Sequence, residues 1–267
     1  METYKEKAKN ARLKILDMVY AAQTSHIGSN FSVVDILTVL FDKIDLNKDK
    51  VILSAGWKAA AFYYFLAEKG LFSKEKLDTY CQPGSDLIGL TEPGIPGVLF
   101  AGGSMQMGLP AAVGFALSKK LKKEEGTVYC ILSDGELAGG MIWESLALAQ
   151  HYKLNNLVIV VDNNGLQAMG DTKKILHMPK LEDKFGSFIN SANVLTADGN
   201  DYWAIDNAFT VMSIRQNKYP EDNNLGVVIF NTTKGKGVSF MEGNNDWHYR
   251  NIPEDLYIQA KEELVNG

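Results

Sequence analysis

Two apolar runs constrain this chain more than anything else in it. TVYCILSDG (127–135) and LVIVVDNNG (157–165) each break off in a polar residue and a glycine, thirty positions apart. Between them AGGMIWESLALAQHY (138–152) has the length and apolar content of a helix. This spacing predicts a right-handed strand–helix–strand unit of a parallel sheet. Strands covered on both faces read as continuous apolar runs, as these do. VILSAG (51–56), VLTADG (194–199) and GVVIFNTTKG (226–235) extend the pattern, with a helix expected around 201–216. Further helices are predicted over 3–22, over Val33–Phe41 with Ser32 as its cap, from about Trp57 to Glu68, and over 108–121. The stretch 81–104 carries three prolines and six glycines and reads as a long loop. The fold class is therefore α/β, a parallel sheet flanked by helices. No internal repeat or linker divides the 267 residues, so one domain over 1–267 is expected.

Composition narrows the partners. At this size about three quarters of the chain's surface is buried on folding, so no disulfide or structural metal is needed. Acids outnumber bases 32 to 27, for a net charge of −5, which argues against nucleic acid as a partner. There are two cysteines, and Cys130 lies within an apolar run, which suggests a reducing compartment. The polar start METYKEKAKN lacks a signal core, and no apolar run reaches membrane-spanning length. A cytoplasmic protein with no membrane contact is expected.

In parallel sheets, ligands gather at the carboxyl ends of the strands. Asp134 and Asn164 end adjacent strands, so a carboxylate and an amide oxygen face one point. Mg²⁺ or Ca²⁺ prefers such oxygen ligands, and Mg²⁺ commonly shares its shell with phosphates. Gly135 precedes a helix whose first amides suit a phosphate. The pattern thus reads as a metal–diphosphate site. The plainer alternative is a pair of turns, since Asp-Gly and Asn-Gly are common turn signals.

The wider pattern is more specific. SDGELAGGMIWE followed by VDNNGLQ resembles the thiamine diphosphate signature of the transketolase family, with Ser133 in place of its first Gly. SHIG (25–28) resembles the family's Gly-His-Pro-Gly, and VILSAG its strand ending in Ser-Lys-Gly-His. GGSMQMGLPAAVGFAL (102–117) resembles the Gly-Ser-Leu-Gly-Gln-Gly loop and helix. HYKLNNLVIVVDNNGLQ (151–167) and KGKGVSFMEGNNDWH (234–248) complete five ordered matches. The resemblance implies a thiamine diphosphate-binding fold, with thiamine diphosphate and Mg²⁺ or Ca²⁺ as cofactors. It implies Asp134 and Asn164 as metal ligands, joined by the Leu166 carbonyl. It places Gly135 and Glu136 at the diphosphate, and Gly103, Ser104 and Met105 beside the cofactor's rings. It makes His26 and His248 the catalytic histidines facing the substrate, with Glu144 near a subunit contact.

The same resemblance implies that the chain is the N-terminal subunit of a split transketolase. Its activity would be transfer of a two-carbon unit from a ketose or 2-oxoacid donor to an aldehyde or sugar acceptor. A C-terminal transketolase-like subunit is expected to supply the pyrimidine-binding domain and its activating Glu, in an α₂β₂ assembly acting on sugars or sugar phosphates. The α-subunit of a 2-oxoacid dehydrogenase first component and a non-catalytic transketolase-like subunit are the competing readings. The sequence departs from the family at three places: Trp57 replaces a His, Leu90 replaces another, and Gly139 replaces a Glu of an acidic network joining paired active sites. Trp has only an N–H donor and Leu has no polar group. A less polar donor or an unusual acceptor is therefore favoured over ordinary sugar phosphates. Arg250 is a candidate phosphate contact or a solvated side chain, and TEPGIP (91–96) an entrance loop or an ordinary surface loop.

Overall fold

The computed structural model describes residues 2–218 and 225–267. Five strands form one all-parallel sheet: β1 (Lys50–Leu53), β2 (Val128–Ser133), β3 (Leu157–Asn163), and, after a two-stranded hairpin of β4 (Leu166–Gln167) and β5 (Gly170–Asp171), β6 (Val194–Asp198) and β7 (Gly226–Asn231). The order is β1-β2-β3-β7-β6. Every strand anticipated from the apolar runs is present, each stopping before its terminal glycine.

Alternation along the strands explains the layers. Successive side chains point to opposite faces, so in β3 Val158 and Val160 enter one core while Leu157, Ile159 and Val161 enter the other. The first core is closed by α1 (Tyr4–Ala22), α2 (Ile27–Lys43), α3 (Ala59–Glu68), α8 (Tyr202–Lys218) and α9 (Glu254–Asn266). The second is closed by α4 (Gly108–Lys122), α5 (Gly140–His151) and α7 (Leu181–Gly186); the short α6 (Thr172–Ile175) follows the hairpin. Both faces of the sheet are thus dry, as a parallel sheet requires.

Two helix starts differ from expectation. α2 begins at Ile27, five residues before Ser32. Ser32 is buried within the helix, where its hydroxyl donates to the Ser29 carbonyl and to Asp162. A serine reads as a cap from sequence because its hydroxyl seeks a nearby acceptor; here the acceptor is a carboxylate 130 residues away. The helix after β2 begins at Gly140, not at 138, because Asp134–Ala138 form a 3₁₀ turn. Gly135 lies inside that turn, and its N–H is taken by Asp134 Oδ1 at 2.9 Å. No α-helix N-terminus therefore opens directly at the strand tip.

Candidate active site

The parallel register sets Ser133 opposite Asp162. The next residue on β2 is Asp134, and two residues on from Asp162 is Asn164. The Asp134 carboxylate bridges the two tips: Oδ2 accepts the Gly165 N–H at 2.8 Å while Oδ1 holds Gly135. Asn164 folds into an Asx turn, its Oδ1 accepting the Leu166 N–H at 3.0 Å and its Nδ2 donating to Ser32 Oγ at 3.3 Å. Asp134, Asn164 and Leu166 all line one cavity of about 400 Å³ at the carboxyl end of the sheet. Burial and the nearby Asp162 push the Asp134 pKa up to about 7, against the opposing pull of Gly165, Lys58 and Gly135.

Beneath these tips lies a buried polar cluster. Lys58 and Asp162, both wholly inaccessible, form an ion pair. Asp162 also accepts from Ser32 and from Thr232, and Lys58 donates to the Ser29 carbonyl at 3.2 Å. One ion pair therefore ties α2, the turn before α3, β3 and the end of β7 together. Lys234 is also buried, and among the described residues no carboxylate lies within ion-pair distance of it. Burial, then the Lys58 charge, lowers its pKa to about 8.

His26 and His248 come together from opposite ends of the chain. Their rings are 5.1 Å apart, edge to face, and both line the cavity. The main chain locks the pair, since the His26 N–H donates to the His248 carbonyl at 2.9 Å. Burial first, then the positive charge of Lys234, lowers the pKa of both, to about 4 for His26 and about 3 for His248. Both imidazoles are neutral at pH 7.

The remaining candidates divide. Gly103 and Met105 line the cavity, whereas Ser104 is exposed and lies outside it. Glu136 points away from it. Its fully buried carboxylate accepts from Ser54 Oγ, the Gln106 N–H at 2.8 Å and the Ser133 N–H at 2.9 Å. It thereby fastens the 102–107 loop to the tip of β2. Trp57 and Leu90 do form part of the cavity wall, with Ala168, Met169 and Tyr249. The 91–102 segment is pinned, because Gly102 donates to the Thr91 carbonyl at 2.8 Å and packs on Gly56. A Cβ on Gly56 would stand 2.1 Å from the Gly102 oxygen, so both positions need glycine. At Gly139 the space for a side chain is filled by the Gln106 carboxamide. Glu144 is exposed on α5, and the exposed Arg250 lies over the Trp247 ring at 5.1 Å. Asp162, Gln106 and Lys234 lie within the matched segments 151–167, 102–117 and 234–248 without having been singled out there, and Lys58 lies outside every such segment. An unusual lysine two residues after the Gly of VILSAG is the one available signal.

The donor set fits a divalent cation held beside a polyanion. A carboxylate, a primary amide and a main-chain carbonyl form an all-oxygen group suited to Mg²⁺ or Ca²⁺. No cluster of three or more His, Cys, Asp or Glu occurs among the described residues, so amide, carbonyl and phosphate oxygens must complete any shell. Two buried ammonium groups, of which only Lys58 has a carboxylate partner, leave positive charge for a diphosphate to offset.

The family model for the transketolase, thiamine diphosphate binding domain matches residues 3–265. The chain belongs to the transketolase family. It is 37% identical over 270 residues to one of the named subunits of the apulose-4-phosphate transketolase of Actinobacillus succinogenes, spanning 97% of this chain and 95% of that protein. The corresponding subunit of Phocaeicola vulgatus is 32% identical over 273 residues, 99% of this chain and 94% of that one. The crystal structure of Campylobacter jejuni transketolase superimposes with a TM-score of 0.90 at 28% identity. It is matched over 99% of this chain but 43% of its own, so the chain spans under half of that single-chain transketolase. Transketolase relatives that are themselves subunits, matched nearly end to end, make this chain a subunit of a thiamine diphosphate-dependent, transketolase-like transferase, and imply a partner subunit.

Proposed function

We propose that the chain is the diphosphate-holding half of a two-chain transketolase that moves a two-carbon unit from a ketose to an aldehyde or sugar acceptor. The observation that carries this reading is the convergence of Asp134, Asn164, Leu166, His26 and His248 on one cavity. Asp134, Asn164 and the Leu166 carbonyl would hold the divalent ion, and through it the diphosphate. The bound cofactor supplies a nucleophilic carbon and a ring that stores the electron pair released when the donor is cleaved. The chain's own residues bind and orient: the neutral imidazoles of His26 and His248 hydrogen-bond substrate oxygens, and Trp57, Leu90 and Met105 exclude water from one side. Leaving a donor's hydroxyl unpaired against that wall costs about 1–3 kcal/mol. The donor is accordingly one whose polar groups lie on the histidine side, such as a branched or otherwise unusual ketose phosphate.

The partner chain would supply the pyrimidine-binding domain and its activating Glu in an α₂β₂ complex. The rim of the cavity supports this: Met105, Met169 and Tyr249 are exposed large apolar side chains on its wall, the kind of surface that marks an interaction site. The two unpaired cysteines suit a cytoplasmic setting. The test is a donor panel run with the chain, its candidate partner, thiamine diphosphate and Mg²⁺, beside each chain alone. Ketol transfer by the mixture only is expected. Full-rate turnover by this chain alone, or decarboxylation of a 2-oxoacid with transfer to lipoamide, would overturn the reading.

A further inference from the structure

We propose that Lys234 is a positioning residue that holds His248 in the one tautomer with its proton on Nε2, so that His248 meets the substrate as a hydrogen-bond donor. The inference rests on the reading of His248 as a substrate-facing residue, and adds the direction of its hydrogen bond.

The geometry starts from Lys234, which is 1% exposed and absent from the cavity wall. Its Nζ lies 2.8 Å from His248 Nδ1 and 2.9 Å from Asn245 Oδ1. The Asn245 amide is oriented in turn, because its Nδ2 donates to the Ala168 carbonyl at 3.3 Å. An ammonium has three N–H donors and no lone pair. His248 Nδ1 must therefore be the acceptor, which leaves the imidazole neutral with its proton on Nε2, the edge away from the lysine. The segment carrying both residues is held by main-chain bonds: Gly243 donates to the Lys234 carbonyl within it and Gly235 to the Gly28 carbonyl of α2, both at 2.9 Å. These bonds fix the main chain from which Lys234 reaches the ring.

The charges around the ring act the same way. The groups facing it are Lys234 on its own turn, the His26 ring at the entry to α2, Lys58 before α3 and the Tyr249 ring 4.6 Å away. The three that can carry positive charge all resist a second proton on His248. His26 is not constrained in this manner, because its Nδ1 faces Ser25 Oγ at 2.8 Å and a hydroxyl donates or accepts equally well. The pair thus divides: His248 is fixed as donor, whereas the tautomer of His26 is left open. A fixed N–H aimed at a substrate oxygen needs no reorganisation as charge builds there.

The experiment uses the full chain labelled with ¹⁵N-histidine. There are four histidines, His26, His151, His177 and His248, and loss of one signal set in His248→Gln assigns the residue. Two-bond ¹H–¹⁵N spectra between pH 6 and 7.5 are expected to show His248 neutral, unprotonated at Nδ1 and protonated at Nε2. A protonated Nδ1, a tautomeric average or an imidazolium at pH 7 in the unmutated chain would overturn the proposal. In the complex with the partner and saturating cofactor, Lys234→Met is expected to mix the tautomers and lower kcat about 10-fold, with KM for the donor changed less than 3-fold. Lys234→Arg, also a donor without a lone pair, is expected to restore both the tautomer and most of kcat. Loss of the tautomer with kcat unchanged, or Arg behaving like Met, would also overturn it. If the complex fails to transfer ketol units at all, the spectrum of the chain still decides the tautomer, so this proposal and the functional reading fail separately.

Discussion

The ion pair beneath the strand tips gives the sharpest prediction about stability. Lys58→Met removes the ammonium while keeping most of the side chain's volume. It leaves the Asp162 carboxylate wholly buried with only the Ser32 and Thr232 hydroxyls as donors. Removing one member of a buried pair costs about 3–5 kcal/mol, because the surviving charge is left uncompensated. With an unfolding entropy of about 2.1 cal/mol/K per residue, 267 residues correspond to about 0.56 kcal/mol/K. The expected fall in Tm is thus about 5–9 °C. Calorimetry of the chain alone reads the shift directly. Lys58→Met/Asp162→Asn, which neutralises the stranded carboxylate, keeps an oxygen acceptor for one hydroxyl and turns an amide donor toward the other's lone pairs, is expected to recover at least half of it. A Tm loss under about 2 °C in the single variant, or a double variant no better than the single, would refute the claim that this pair ties α2, β3 and β7.

Asp134→Asn is expected to weaken Mg²⁺-dependent thiamine diphosphate binding more than about 100-fold by calorimetry, while Tm holds or rises, since a carboxylate whose pKa burial has raised to about 7 costs the folded state stability at neutral pH. Gly56→Ala forces a Cβ against the Gly102 carbonyl and is expected to cost about 1–3 kcal/mol in urea unfolding. For His26 and His248 the native pKa values, about 4 and about 3, lie below the unfolded value of about 6.5. The unfolded chain therefore takes up protons that the native state refuses. Stability is complete above pH 6.5 and is lost as pH falls through 6.5 toward 4 and 3. The urea midpoint is expected to drop between pH 7.5 and 5, and less steeply in His248→Asn.

What could be read from the residues follows from what periodicity measures. Apolar runs report burial, so all five strands and the tip positions of Asp134 and Asn164 were legible. Buried polar residues leave no such trace. Lys58 and Asp162 are 104 positions apart, and although Asp162 closes an apolar run, nothing local shows that the two pair. Ser32 looked like a cap because its true acceptor comes from β3. Glu136 sits next to the diphosphate signature in sequence, yet the 3₁₀ turn rotates it toward Ser54 and Gln106. Gly139 was visible as a departure from the family pattern, but only the fold shows the Gln106 side chain filling its place.

The strand order has a bearing on how this protein is made. β3, the middle strand, pairs on one side with β2, which precedes it, and on the other with β7, some sixty residues further on. During synthesis the nascent chain therefore exposes an open edge of β3, its backbone N–H and C=O groups unpaired between apolar side chains, until β7 leaves the ribosome, which is when stray strand addition and aggregation threaten. Asp162 meets Thr232 only at that same late moment. Ribosome-bound intermediates stalled before about residue 240 should thus be chaperone clients, and expression yield should depend more on translation pace through 164–226 than on the final thermal stability.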